Sequence, residues 1–262
     1  MSPLDLLRLA STAAKRAGEY LQGVRRPVDP SRWGLKGSRD FVTEIDRAAE
    51  ELIAETLLGP YPGSRIVGEE LSPVVLTDGL VWIVDPLDGT TNFLHAFPSY
   101  AVSIAAALDG VLQAGVVLHV PRNEIYSAVR GGGAWLGEQR LSVSSIADPG
   151  FALIGTGFPF RELSRLDEYQ RQFARVARST SGIRRPGSAA IDLADVAAGR
   201  FDGFWEQQLS AWDIAAGTLL IREAGGVITD MTGRDIGIEN TSVVAGNPAI
   251  HRWLVETLDL DT

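Results

Sequence analysis

VWIVDPLDGTTNF, from Val81 to Phe93, begins like a strand and ends like a helix start. The apolar run Val81–Val84 has the pattern of a strand buried on both faces. Pro86 has no N–H for a ladder, so the strand is expected to stop at Asp85. Gly89 permits a sharp turn, and Thr90, Thr91 and Asn92 suit the opening of a helix. Asp85 and Asp88 therefore stand at a strand end, three positions apart, beside backbone N–H groups that no ladder or helix uses. Their carboxylates and the Leu87 carbonyl can share a hard cation, while the N–H groups around Gly89 and Thr90 can hold an anion. Acids and an anion pocket repel unless a divalent ion lies between them. The stretch thus points to Mg²⁺-dependent phosphate chemistry, although Pro, Asp and Gly also make ordinary surface turns.

Other phosphate motifs are excluded. The chain has no GxxxxGK[ST] loop, and GTGF at Gly155 lacks the third glycine of a dinucleotide fingerprint. The acids are spaced DxxD, not the DxD of an aspartyl-nucleophile phosphatase. With no cysteine, disulfides, zinc–thiolate sites and thiol nucleophiles are ruled out. The three histidines, His95, His119 and His251, form no HExxH motif, and there is no GxSxG elbow. A net charge of −9 argues against a dedicated nucleic-acid binder, and 262 residues with 45% apolar content suit a soluble enzyme with a large core.

Working outward, the charged N-terminus reads as an amphipathic helix carrying Leu6, Ala10, Ala13, Ala17 and Leu21, not as a signal peptide. Gly34–Asp40 (GLKGSRD) reads as a polar loop around Lys36. Thr43-Glu44-Ile45-Asp46 matches a capping box opening a helix with Ala49, Ile53 and Leu57 inside. Arg65–Val67 reads as a short strand delivering Glu69 and Glu70. Tyr100–Val120 is apolar enough to mimic a membrane span, but Asp109-Gly110 splits it into a buried hairpin. Beyond it the pattern alternates: strand at Ala152–Gly155, helix at Leu166–Arg178, a helix opening at Gly187-Ser188-Ala189-Ala190, and a strand at Gly203–Glu206. A second capping box at Ser210–Asp213 opens a small-residue helix that stops at Gly225-Gly226, and a last helix runs from Pro248 to about Leu258.

Glu69, Asp85, Asp88, Asp213 and Asp46 then form a set, each at a strand end or helix start. Converging carboxylates raise one another's pKa values, and two or three divalent ions would offset that charge. This is the logic of two-metal catalysis, with metals roughly 3.5–4 Å apart on the attacking and leaving oxygens.

VGEE at Val67, WIVDPLDGTTNF at Trp82, GSAA at Gly187, DGFWE ending at Glu206 and AWDIAAG at Ala211 together resemble the inositol monophosphatase family, nearest its bacterial inositol-1-monophosphatase branch. The resemblance implies an α/β fold, a layered α-β-α-β-α sandwich of the inositol monophosphatase and fructose-1,6-bisphosphatase type. A half comprising 1–148 would carry the DPLDGT motif, and 149–262 would complete the site within one unit. A cytoplasmic homodimer acting on a small phosphorylated polyol or sugar is implied, with no membrane or nucleic-acid partner. One Mg²⁺ would be held by Glu69, Asp85 and the Leu87 carbonyl, a second by Asp85, Asp88 and Asp213, and a third near Glu69 with Glu70 and Asp46. Thr90 and Asp46 would orient the attacking water, with Glu69 in the catalytic set, under a mobile Lys36 loop. Gly89, Thr90 and Thr91 would receive the phosphate, while Ala189, Glu206 and Asp213 would face the alcohol. Lithium would inhibit.

Inositol-1-phosphate is the expected substrate. Fructose-1,6-bisphosphate, histidinol phosphate and 3′-phosphonucleotides are alternatives on the same site, as is a regulatory contact with RNA polymerase or another protein. Arg184 and Arg185 could grip a second phosphate or simply lie at the surface or a dimer interface. Ser210 occupies a variable substrate loop, and Ser99 and Tyr100 stand where some relatives carry bulkier residues.

Overall fold

Residues 80 to 84 are buried on alternating sides of one strand, and that alternation sets the layers of the molecule. Val81 and Ile83 enter one apolar cluster, while Leu80, Trp82 and Val84 enter another. A period of two distributes side chains in this way, and burial on both sides requires cover above and below the sheet. In the computed structural model, residues 2–37, 40–42, 44–159 and 163–259 are described.

The chain opens with α1 (Pro3–Gly23), β1 (Gly34–Gly37), β2 (Asp40–Val42) and α2 (Glu44–Leu58). Next come β3 (Arg65–Gly68), β4 (Leu80–Asp88), α3 (Thr90–Leu94), β5 (Ala101–Leu108) and β6 (Val111–His119). The strands β7 (Glu124–Val129), β8 (Gly133–Leu136) and β9 (Gln139–Arg140) complete a seven-stranded sheet in the order β3 to β9. Its strands are antiparallel neighbours except β3 and β4, which run parallel.

After it follow β10 (Leu153–Thr156), α4 (Leu166–Ser179), β11 (Gly182–Arg184), α5 (Ala189–Ala197) and β12 (Gly203–Leu209). The chain ends with α6 (Ala211–Glu223), β13 (Val227–Thr229), β14 (Thr241–Gly246) and α7 (Pro248–Leu258). Five of these strands form a second mixed sheet, ordered β11-β10-β12-β14-β13.

The apolar clusters give the stacking. Helices α1 and α2 cover the outer face of the large sheet through Leu6, Ala10, Ala17, Ile53 and Leu57. Helices α5 and α6 lie between the sheets and are buried nearly all round, the pattern of a helix with no solvent face. Helices α4 and α7 cover the far face of the small sheet through Tyr169, Val176, Ile250 and Leu254. The result is the layered α-β-α-β-α sandwich expected. Among the described residues no helix is long and apolar enough to cross a membrane.

The expected hairpin is present, with β5 and β6 joined through Asp109 (φ 48°) and Gly110 (φ 77°). Two consecutive left-handed residues match the right-handed strand twist, which is why DG between apolar runs turns there. Two expectations fail. The segment around Lys36 is not a loop: β1 and β2 pair antiparallel, with Leu35 opposite Phe41. A connection of only two residues, 38 and 39, is short enough for a hairpin; those residues, the Lys36 side chain and the Thr43 cap lie outside the described set. Nor does β4 stop at Asp85. It continues to Asp88 through a register shift, Asp85 facing Ser103 and Asp88 facing Ala101. Pro86 is accommodated because the ladder is interrupted there, one of the few places a strand tolerates proline.

Candidate active site

That shift brings the two motif acids together. In a regular strand, residues three apart point to opposite faces. One extra residue in β4 between the Asp85 and Asp88 pairings re-aims the second side chain. Asp85 and Asp88 then meet Asp213 from the first turn of α6, and one ligand oxygen of each lies within 4.8 Å of the others. Asp213 accepts the Ser210 N–H at 2.7 Å, so the predicted helix cap and the acid cluster are the same residue.

Asp85 is almost completely buried, at 1% exposure. Burial pushes its pKa well above the usual carboxylate range, and the charges of Glu69, Asp88 and Asp213 push it further. The Leu87 N–H, donated to Asp85 Oδ1 at 2.9 Å, opposes them only in part. Such a group is stable as an anion only beside a cation. Every donor in the cluster is a carboxylate oxygen, and this set fits a hard cation.

The remaining predicted residues arrange around this centre. Glu69 follows β3, and its N–H donates to Val84 O at 3.3 Å. It exerts the largest neighbouring charge on Asp85 but does not join the 4.8 Å set. Asp46, buried in the first turn of α2, and the Leu87 carbonyl both lie 3.1 Å from the Thr90 hydroxyl, which has one proton to share. Gly89 (φ 89°, ψ 37°) precedes α3, where Thr91 is exposed. Ala189 begins α5 and is buried, and Glu206 lies half-buried on β12. The charges of Glu206 and Asp88, after burial itself, raise the pKa of Asp192 well above the carboxylate range. Glu70 donates its backbone N–H to Glu50 at 2.8 Å. Arg184 and Arg185 are both exposed, the latter 4.3 Å from the Phe158 ring centroid.

Three residues escaped sequence reasoning. Ser188 donates its hydroxyl to Asp88 Oδ2 at 2.5 Å, and the Ala190 N–H adds a second donor at 2.8 Å. Asn92 spans the two sheets' loops, its amide 2.7 Å from Ser99 O and 2.8 Å from Pro186 O. Glu50 is the third. The signal for it was present, since Asp46 and Glu50 interleave with Ala49, Ile53 and Leu57 on one helical stripe, where acids do not otherwise belong.

The sequence profile of the inositol monophosphatase family matches residues 3–260. The chain belongs to this family. An inositol-1-monophosphatase from Rhizobium meliloti is 45% identical over 259 residues, covering 98% of this chain and 97% of its own. Nus factor SuhB from Pseudomonas aeruginosa is also 45% identical, over 97% of this chain and 95% of its own length. The solved structure of a Thermotoga maritima IMPase superposes with a TM-score of 0.89 at 33% identity, covering 97% of each chain. Family members named as phosphatases support a phosphatase role here, and the acid cluster could hold a metal ion.

Proposed function

We propose that the chain is a Mg²⁺-dependent phosphomonoesterase that hydrolyses inositol-1-phosphate or a similar small polyol phosphate. The observation that carries this reading is the convergence of Asp85, Asp88 and Asp213 to within 4.8 Å around a buried carboxylate. In this reading those three, Glu69 and the Leu87 carbonyl hold the first two ions, and Glu70 helps hold a third. When bound, the ions supply Lewis acidity for activating water and for stabilising the departing alkoxide.

The chain's own groups do the positioning. The Thr90 hydroxyl, held by Asp46, orients the water that attacks phosphorus in line. The Gly89, Thr90 and Thr91 backbone receives the phosphate, and Ala189, Glu206 and Asp213 face the alcohol, Glu206 accepting hydrogen bonds from its hydroxyls. Ser188 and Ala190 keep Asp88 oriented, so the second sheet's half of the chain, 149–262, finishes a site begun in 1–148. No covalent phosphoenzyme is needed, in keeping with a chain that has no cysteine. The Lys36 segment closing over the site, a homodimer and a cytoplasmic setting belong to the same reading.

Phosphate release from inositol-1-phosphate, fructose-1,6-bisphosphate, histidinol phosphate and 3′-phosphoadenosine 5′-phosphate, each with Mg²⁺, tests the substrate. A clear preference for inositol-1-phosphate, inhibited by lithium, is the expected result; preference for a bisphosphate would move the assignment toward Arg184 and Arg185 as a second phosphate grip. Relatives named Nus factor SuhB motivate a second reading, in which the chain also contacts a protein partner. Silence on every substrate would favour it.

A further inference from the structure

Glu50 is at 1% exposure on α2, a position where an acid is costly unless its oxygens are satisfied. Its Oε2 accepts the Glu70 N–H at 2.8 Å, and its Oε1 accepts the Leu71 N–H at 3.2 Å. Bonds to an ionised acceptor are shorter and stronger than neutral ones. The carboxylate also presses against Gly68, where a Cβ would come 2.2 Å from Oε1 and 2.8 Å from the carboxyl carbon. A side chain at the glycine of VGEE would therefore displace this carboxylate, and since the glycine's φ is not in the left-handed region the close approach is what glycine serves there. Three consecutive N–H groups are then fixed: Glu69 to Val84 O, on the strand that carries Asp85, and Glu70 and Leu71 to Glu50.

We propose that Glu50 is a positioning residue for the cation site, its carboxylate fixing the Gly68–Leu71 backbone so that Glu69 is held beside Asp85. The proposal rests on the reading of the aspartate cluster as a cation site. A ligand delivered by a short segment after a strand is only as well placed as its backbone, and outer groups that orient metal ligands are worth a sizeable part of metal affinity. Glutamine at position 50 keeps the shape but turns an NH₂ toward one of the two backbone donors.

The test uses the full chain as wild type, Glu50→Gln, Glu50→Asp and Gly68→Ala. Hydrogen exchange at the Glu70 and Leu71 amides of the metal-free protein reads the backbone directly, and calorimetric titration with Mg²⁺ reads the site. Glu50→Gln should speed exchange at both amides and raise the half-saturating Mg²⁺ concentration by about tenfold. Its kcat at saturating Mg²⁺ should stay within about threefold of wild type, because what is lost is binding rather than chemistry. Glu50→Asp should recover part of the Mg²⁺ affinity, and Gly68→Ala, which displaces the carboxylate without removing it, should shift affinity in the same direction as Glu50→Gln. Unchanged Mg²⁺ affinity in a folded Glu50→Gln protein with faster exchange would reduce Glu50 to a structural staple and overturn the proposal. So would failure of both Glu50→Gln and Gly68→Ala to fold. Absence of Mg²⁺ binding by the wild type would instead overturn the cation-site reading, and this proposal with it.

Discussion

Asp88→Asn is expected to lower phosphate release by at least about 10³-fold, the equivalent of losing about 4 kcal/mol of transition-state stabilisation. The substitution is nearly isosteric. Its amide oxygen can still accept the Ser188 hydroxyl and the Ala190 N–H, the two donors that orient Asp88 Oδ2. The other carboxylate oxygen becomes an NH₂ that cannot ligate a cation, and the cluster with Asp85 and Asp213 loses one negative charge. The loss should therefore appear in turnover and Mg²⁺ affinity, with the thermal transition of the protein little changed. Near-normal kcat at saturating Mg²⁺ would remove Asp88 from the cation site.

Gly89→Ala should cost about 10²-fold in turnover, for a different reason. Gly89 sits at φ 89°, a left-handed conformation that costs an L-residue about 1–2 kcal/mol. Its Cβ would also lie 2.9 Å from Ser99 O and 3.3 Å from Gly187 O, both backbone atoms that no rotamer change can move aside. The turn must shift, carrying Thr90, whose hydroxyl is 3.1 Å from Asp46. Misplacement by about 1 Å is enough to disrupt in-line attack, and the melting temperature should fall by roughly 4–10 °C. Gly225→Ala is the control. That residue has φ 83°, and a Cβ added there would meet nothing within 4 Å, so the variant carries the backbone strain without the collision. Gly225→Ala should lose stability and keep turnover; equal losses of turnover in both variants would show that strain alone, and not the geometry of the turn, sets the activity.

Much of this was legible in the chain because local chemistry and global packing agree. Asp109-Gly110 makes the turn its residues favour, α1 lies where apolar spacing placed it, and α4 and α7 lie where the sequence reads as helical. Asp213 illustrates a double signal, a capping acid that is also a member of the cluster. What stayed hidden depends on partners distant in sequence. Pro86 reads as a strand stop, yet β4 passes it, because a shift against β5 frees the ladder at that point. A shift is a property of two strands and leaves no mark on one. Ser188 and Asn92 likewise gain their roles from contacts about a hundred residues away. Glu50 is a partial case: its place on the apolar stripe of α2 marks it as unusual, but its role is set only where its carboxylate meets the Glu70 and Leu71 amides.

The most direct test of the cation site is phosphate release from inositol-1-phosphate by chelator-treated protein during titration with Mg²⁺. The expected result is no release without the ion, a saturable rise as Mg²⁺ is added, loss in excess EDTA and recovery when Mg²⁺ again exceeds it. Undiminished hydrolysis in EDTA would contradict a role for Asp85, Asp88 and Asp213 as ligands of a catalytic ion.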